Sequence, residues 1–172
     1  MTGSEFLRLV REVSESRGLD EMVVLGVIGV ESGFNRLSIR YEPKMHERVV
    51  SKHAKGELVG MLRVATTPSI VTELVGRAMS WGYMQVLGET ARTALKWRGR
   101  YFTELLGEKV NIELGCEYLA RMLKMSNGDI RLALLKYNGG GDKGYADRVI
   151  NFMAKGGAYE RLASIDDMSD GM

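Results

Sequence analysis

The strongest constraint on the fold is a run of nine apolar or glycine residues, Met22 to Val30, that ends directly in a carboxylate, Glu31. Its β-branched residues would suit a buried strand. Its length, the capping residue Asp20 before it and the glycine Gly33 after it favour a buried helix, because these are typical signals for the start and end of helices. The run is about half as long as a membrane-spanning helix, so we expect no stable membrane insertion.

The remaining segments also show helical periodicity, and we expect one mostly α-helical domain over residues 1–172. Apolar residues behind Thr2 or Ser4 predict a first helix that ends at Gly18. The helices expected after residues 20–32 are 43–55, about 67–79 behind Thr67-Pro68, 89–98, 109–125, 129–137 and 145–155. There is no repeat, linker or strong hairpin signal, and the acidic tail at about 163–172 is expected to be frayed.

Composition excludes several functions. The 172 residues carry a net charge of +2, which is too weakly basic to indicate a nucleic-acid partner. Cys116 is the single cysteine, so no intrachain disulfide forms, and we expect it to be a buried small residue. His46 and His53 have no cysteines or paired acids at ligand spacing, so we expect no metal site and no cofactor. The first residues lack the pattern of a signal peptide, and we expect synthesis in the cytoplasm.

Four short motifs follow one another along the chain: ESGFN at 31–35, GYMQV at 82–86, NIELGCEYLARML at 111–123 and ALLKYNGG at 133–140. Together they resemble the motifs of soluble lytic transglycosylases in the lysozyme-like superfamily, whose members cut the glycan strands of peptidoglycan. The resemblance covers most of residues 20–152. It implies an all-α or mostly α lysozyme-like domain with a catalytic cleft.

The chain departs from the compact family pattern in two ways. The separation between Glu31 and GYMQV is longer than in a compact domain, so we expect a helical insert at about residues 42–79. The segments SIRYEP at 38–43, SWGYMQVLG at 80–88 and YNGGGDKGYADRV at 137–149 look closer to muramidases of phage endolysins. This similarity suggests a phage or prophage enzyme, and that branch includes hydrolases.

Motif positions imply a catalytic acid and residues around it. Glu31 matches the family's catalytic glutamate. Tyr137 matches the tyrosine that faces the acid and orients the carboxyl or the N-acetyl group of the substrate; a packing role is its alternative. Ser32 is expected to secure the helix end by local hydrogen bonding. Asn138, grouped with the substrate-binding residues, is expected mainly to shape the turn after its helix.

Other motif residues are expected to form the sugar-binding groove. Gln85 would hydrogen-bond sugar or N-acetyl groups, although a role as a hydrogen-bonding core residue is open. Met84 and Tyr83 would shape the groove. Tyr41 and Trp81 offer aromatic faces for stacking on sugars, and for each a core position is an equal alternative.

The position of Glu31 suits a general acid. Cleavage of a glycosidic bond needs a proton on the leaving oxygen, whereas an exposed glutamate is ionised at neutral pH. An apolar helix beside the carboxyl disfavours the charged form and raises the pKa. The negative end of the helix dipole acts in the same direction. A glutamate that merely reaches the surface at a helix end is the structural alternative.

Glycosidases usually pair two carboxylates, and the sequence offers no clear second one. The candidates are Glu42, Glu47, Glu73 and Glu89. Glu42 is the most interesting, although a glutamate before Pro43 can also simply stabilise the start of a helix. Lytic transglycosylases, as the resemblance implies, need one acid, because the N-acetyl group assists and the muramoyl 6-hydroxyl replaces water.

The sequence therefore predicts an enzyme that cuts the β-1,4 bond between N-acetylmuramic acid and N-acetylglucosamine and leaves 1,6-anhydro ends. A hydrolytic muramidase and a non-catalytic glycan-binding or virion structural protein are the alternatives. The expected partner is the peptidoglycan glycan strand, with no nucleic acid. We expect a monomeric endolysin without a wall-binding domain, made in the host cytoplasm and acting on the cell wall in the periplasm after holin-dependent release.

Overall fold

The computed structural model describes residues 1–60, 69–99 and 101–158. Within these ranges the chain forms eight α-helices, one 3-10 helix and a small antiparallel sheet, so the mostly α-helical fold class is confirmed. The helices are α1 (Gly3–Ser16), α2 (Glu21–Ser32), α3 (Pro43–Ala54), α4 (Ile70–Arg77), α5 (Gly88–Thr93), a 3-10 helix (Phe102–Leu106), α6 (Glu108–Met125), α7 (Ile130–Tyr137) and α8 (Tyr145–Ala154); the strands are β1 (Ile39–Tyr41), β2 (Met79–Trp81) and β3 (Val86–Leu87).

The chain divides into two compact units. The first contains residues 1–34 and the chain from residue 115 onward, and the second contains residues 35–114. The organisation as a single domain over 1–172 stays a prediction. The tail at 163–172 lies outside the described residues.

Helix α2 has the predicted boundaries. Asp20 is its N-cap, and the Asp20 carboxylate accepts the backbone N–H of Met22 at 2.7 Å. Gly33 is the C-cap in the left-handed conformation, with a φ of 59°. The apolar run in between is largely buried, which places Glu31 in the last turn of a core helix.

Several elements differ from the sequence-based expectation. The three strands were not predicted, because runs of two or three residues carry no alternating pattern. Helix α4 begins at Ile70 with Ser69 as its N-cap, whereas Thr67-Pro68 lies outside the described residues. Helix α5 ends at Thr93 instead of continuing to residue 98, and the 3-10 helix was not predicted.

In the first unit, α2 and α8 pack with their backbones close together. A Cβ atom at Gly29 would lie 2.3 Å from the Phe152 ring, and one at Gly26 would lie 2.8 Å from the Met153 side chain. Only glycine fits at such distances. The two glycines of the run therefore allow α8 to lie directly on α2.

In the second unit, the sheet has the strand order β1-β2-β3. Ile39 pairs with Trp81 across the first two strands, and Trp81 pairs with Val86 across the next two. The short β2–β3 connection is the GYM segment of the GYMQV motif. This hairpin fixes the backbone around that motif.

The described residues give no indication of a membrane span or a metal centre. None of their helices combines the length and hydrophobicity that crossing a bilayer requires. Over the same ranges, His, Cys, Asp and Glu side chains form no cluster that could hold a metal ion.

The packing of α2 against α8 predicts that Gly29→Ala destabilises the protein. The added methyl group would overlap the Phe152 ring and force it to move, so we expect a loss of about 1–3 kcal/mol in the free energy of unfolding. Urea denaturation followed by circular dichroism measures this loss. Gly141→Ala is the matched control, because Gly141 has open space around its Cβ position and no left-handed φ. Equal stability of the two variants would contradict the close packing.

Candidate active site

Glu31 meets a tyrosine hydroxyl in the first unit. Tyr145, the first residue of α8, donates its hydroxyl proton to Glu31 Oε1 at a distance of 2.7 Å. Tyr145 is 1% exposed, whereas Glu31 is partly exposed. Tyr145 therefore binds the Glu31 carboxyl from the interior of the protein, while Glu31 itself remains partly exposed.

Tyr137, at the end of α7, lies near Glu31 in the first unit. Its pKa is raised well above the ordinary value, first by burial and then by the negative charge of Glu31. Its ring contacts the Tyr118 ring, with the centroids 5.4 Å apart. The structure thus brings Tyr137 near Glu31, and its catalytic role stays a proposal.

Tyr145 is a site residue that the sequence alone does not indicate. It falls within the segment YNGGGDKGYADRV, but it lies 114 residues from Glu31 in the chain, and no local signal links the two. Burial and the charge of Glu31 raise the pKa of Tyr145 far above that of a free tyrosine. Its hydroxyl therefore keeps its proton throughout the physiological pH range and always acts as a donor.

The chain turns sharply after Glu31. Phe34 has a φ of 66°, a left-handed conformation that is strained for a bulky residue. Its ring packs against Phe6 and Phe152, with centroid distances of 5.9 and 6.2 Å. Ser32 Oγ donates to the Ile28 carbonyl at 3.1 Å, which is the local hydrogen bond expected of it. These contacts secure the helix end that carries Glu31.

In the second unit, Asn111 organises the GYMQV turn. Its Oδ1 accepts the backbone N–H of Met84 at 2.8 Å, and its Nδ2 donates to the carbonyls of Trp81 and Leu105 at 2.7 and 2.8 Å. Asn111 is fully buried. A Cβ at Gly82, whose φ is 71°, would lie 2.5 Å from Asn111 Nδ2. Asn111, the first residue of the NIELGCEYLARML motif, thus stabilises the turn of the GYMQV motif. The sequence alone does not indicate this role.

Gln85 follows this turn and is 8% exposed. Its Nε2 donates to the carbonyls of Ser38 and Gly82, each at 3.0 Å. Both of its N–H donors are used inside the protein, so a sugar could be contacted only through Oε1. Gln85 therefore acts at least in part as a hydrogen-bonding core residue. Sugar binding by Gln85 stays a proposal.

The other predicted groove residues occupy different environments. Met84 is fully buried and Tyr83 is 8% exposed, so they can shape a groove only from beneath its surface. Burial also raises the pKa of Tyr83 to about 12. Tyr41 is 45% exposed, and its hydroxyl hydrogen-bonds to His46 Nδ1. Asn138 is the C-cap of α7, in line with the expected turn role.

Trp81 takes a core position. Its Nε1 donates to the Gly76 carbonyl at 3.0 Å, and its ring stacks on Phe102 with centroids 5.9 Å apart. Both rings line a mostly apolar pocket of about 350 Å³ in the second unit. The packing alternative therefore describes Trp81 better than an exposed sugar-stacking face.

A family model described as the transglycosylase SLT domain matches residues 8–148. The chain belongs to this family. The resemblance to an SLT-type domain of the lysozyme-like superfamily is therefore confirmed. No solved structure matches the chain at a significant level.

Three curated relatives of this SLT domain are each named membrane-bound lytic murein transglycosylase C. The relative from Edwardsiella ictaluri is 26% identical over 179 residues and covers 92% of the chain. Those from Cronobacter sakazakii and Photorhabdus laumondii are 23% and 26% identical, each over 93% of the chain. The chain spans only 40–41% of the length of these relatives.

Two of the candidate second carboxylates in this SLT domain are buried in ion pairs. Glu73 Oε1 accepts from Arg77 Nε at 2.9 Å and from Arg92 Nε at 3.0 Å. Glu89 accepts from Arg77 at 2.7 Å and from Lys52 at 2.9 Å. Because these carboxylates are neutralised inside the second unit, neither suits a role as a catalytic base.

Glu42 and Glu47 lie nearer the surface. Glu42 is the N-cap residue of α3 and is partly exposed. Its Oε1 accepts from Arg40 Nε at 2.7 Å and from Ser80 Oγ at 3.4 Å. Glu42 thus lies at the start of a helix, although its side chain makes no capping hydrogen bond to α3 and binds Arg40 and Ser80 instead. Glu47 is exposed on α3.

The buried network predicts that Glu73→Gln is strongly destabilising. Removal of this charge leaves Arg77 and Arg92 without their shared buried counter-ion, which costs about 3–5 kcal/mol. Thermal or chemical unfolding measures the change. Glu47→Gln makes the same substitution at an exposed position and should leave stability within about 0.5 kcal/mol. Similar stability of both variants would contradict the structural role of Glu73.

Proposed function

We propose that this chain is a peptidoglycan lytic transglycosylase. It cleaves the β-1,4 bond between N-acetylmuramic acid and N-acetylglucosamine and leaves 1,6-anhydromuramoyl ends. The observation that carries the proposal is the partly exposed carboxyl of Glu31, held at 2.7 Å by the buried hydroxyl of Tyr145. Membership of the SLT domain family and the names of the curated relatives support it.

In the first step Glu31 acts as a general acid. Tyr145 donates to Oε1 and so fixes the orientation of the carboxyl that carries the proton. Glu31 transfers this proton to the glycosidic oxygen, the bond between that oxygen and C1 of the muramoyl residue breaks, and the N-acetyl oxygen stabilises the positive C1. The N-acetylglucosamine end leaves as an alcohol.

In the second step the same carboxylate acts as a base. It removes the proton from the muramoyl 6-hydroxyl, whose oxygen then bonds to C1 and closes the anhydro ring. No water is consumed, and Glu31 ends protonated as it began. One ionisable group thus serves both steps, which suits a carboxyl whose neighbours include the two tyrosine hydroxyls of Tyr137 and Tyr145.

A hydrolytic muramidase would require a second group to activate water. The ion pairs of Glu73 and Glu89 argue against these residues. Glu42 remains the candidate for that outcome, although its contacts with Arg40 and Ser80 favour a structural role.

Mass spectrometry of muropeptides from purified peptidoglycan tests the proposal. We expect the native protein to release products that are one water lighter than reducing sugars. Glu31→Gln should reduce the rate by roughly a hundredfold or more, because the amide cannot supply the proton. Glu15→Gln, at an exposed position on α1, is the matched control and should retain full activity.

Each other outcome changes the conclusion. Reducing ends would indicate a hydrolase and direct attention to Glu42. Binding to peptidoglycan without product release would support the non-catalytic alternative. If Glu31→Gln cleaved as fast as the native protein, the assignment of the acid would be wrong.

We further propose that the protein acts as a monomeric phage endolysin that reaches the periplasm with the help of a holin. The similarity of its motif segments to endolysin muramidases supports this role. Under this proposal the protein accumulates in the cytoplasm until the membrane is opened.

Expression in a bacterial host tests the endolysin proposal. Cells that make the protein should remain intact until a holin or a permeabilising agent is added and should then lyse within minutes. Cells that make Glu31→Gln should not lyse after the same treatment. Lysis of untreated cells would show that the protein crosses the membrane without a holin.

A further inference from the structure

An ion pair beside Tyr145 is not used by the proposed reaction. Asp142 Oδ2 accepts from a guanidinium N–H of Arg148, and Asp142 Oδ1 accepts the backbone N–H of Gly144 at 3.0 Å. The backbone carbonyl of Asp142 also accepts the N–H of Tyr145 at 3.2 Å. Asp142 therefore makes three contacts at the start of α8, with the Arg148 side chain and with the backbone N–H groups of Gly144 and Tyr145.

The chain on either side gives little support of its own. Residues 139–141 are all glycine, and Gly139 and Gly140 have φ angles of 79° and 76°. Gly144, the N-cap of α8, provides no side-chain cap. Because glycine has the largest conformational freedom, the contacts of Asp142 add restraint at the start of α8.

The guanidinium of Arg148 also lies over Tyr145. Its Cζ atom is 5.8 Å from the centroid of the tyrosine ring. Its pKa is raised, first by the hydrogen bond to Asp142 and to a lesser extent by the charge of Glu31. The positive group is thus close enough to act on both members of the Tyr145–Glu31 pair.

We propose that Asp142 and Arg148 are positioning residues, which hold the Tyr145 hydroxyl against Glu31 and favour the carboxylate that forms when Glu31 gives up its proton. This inference rests on the proposed function, because it takes Glu31 as the acid. Because the guanidinium lies over the tyrosine ring, the positioning part of its role acts through Tyr145.

The direction of the pH effect follows from the charges around Glu31. Tyr145 and Arg148 face it from α8, and Tyr137 faces it from α7. Cys116 and Tyr118 of α6 act on Tyr137. Loss of the Arg148 charge is expected to raise the pKa of Glu31, because a nearby positive charge favours the carboxylate. Since the acid must be protonated, the alkaline limb of the activity profile then moves to higher pH.

The test compares Arg148→Met with Arg131→Met on soluble glycan strands. Arg131 forms a similarly exposed ion pair with Asp147, also between α8 and a neighbouring segment. We expect Arg148→Met to lower kcat roughly threefold to tenfold with a smaller change in KM, and to shift the alkaline limb upward. Arg148→Lys should restore most of the activity, and Arg131→Met should change neither quantity. Equal losses in both methionine variants would overturn the proposal.

A double-mutant cycle decides whether Arg148 acts through Tyr145. In a Tyr145→Phe background the hydroxyl is already absent, so adding Arg148→Met should cause little further loss of kcat at the pH optimum, while its charge effect on the alkaline limb persists. A full additional loss would mean that the arginine acts by another route. Asp142→Asn tests the positioning role while Arg148 keeps its charge, should either arginine variant fail to fold; it should lower kcat without moving the alkaline limb upward.

The pKa of Glu31 gives a readout that does not need turnover. It can be measured by ¹³C NMR titration of the Glu31 carboxyl in the native protein and both methionine variants. The pKa should rise in Arg148→Met and stay unchanged in Arg131→Met; an unchanged value in both would overturn the proposal. If the native protein releases no muropeptides, the proposed function fails, while this titration still decides the role of Arg148.

Discussion

The close packing of α2 on α8 is the constraint on which the first unit depends. Glu31 lies in the last turn of α2 and Tyr145 is the first residue of α8, so their hydrogen bond depends on how these two helices pack together. Gly26 and Gly29 permit this, because larger residues would meet the side chains of Met153 and Phe152. The apolar run therefore does more than shield a carboxyl: its glycines bring a second helix to that carboxyl.

The second unit shows a different use of motif residues. Asn111 belongs to the NIELGCEYL helix, yet its side chain satisfies backbone groups of the GYM turn. Gln85 likewise donates to two backbone carbonyls. A polar side chain buried in this way must have its hydrogen bonds satisfied, which fixes the turn to one conformation. These motif residues therefore stabilise the loop, whether or not they also contact a sugar.

The sequence predicted those features whose signals are local. The boundaries of α2 and α7 follow from Asp20 and Asp129, each a capping residue in front of an apolar stretch. The strands were not predicted because they are too short to show an alternating pattern, and β1 is held by pairing with the distant β2. The motif indicated Tyr137 near the acid, and the structure adds Tyr145, whose hydroxyl donates to Glu31. The buried pairs of Glu73 were equally hidden, since its partner Arg92 lies 19 residues away.

The surroundings of Glu31 act on its proton in opposite directions. The apolar helix and the negative end of its dipole favour the protonated acid. The hydroxyl of Tyr145 and the guanidinium of Arg148 favour the carboxylate. A group that acted only as a proton donor would need only the influences that favour its protonated form. A group that must give a proton and then take one back needs both states within reach near neutral pH, so the opposing influences are what the proposed two-step reaction requires.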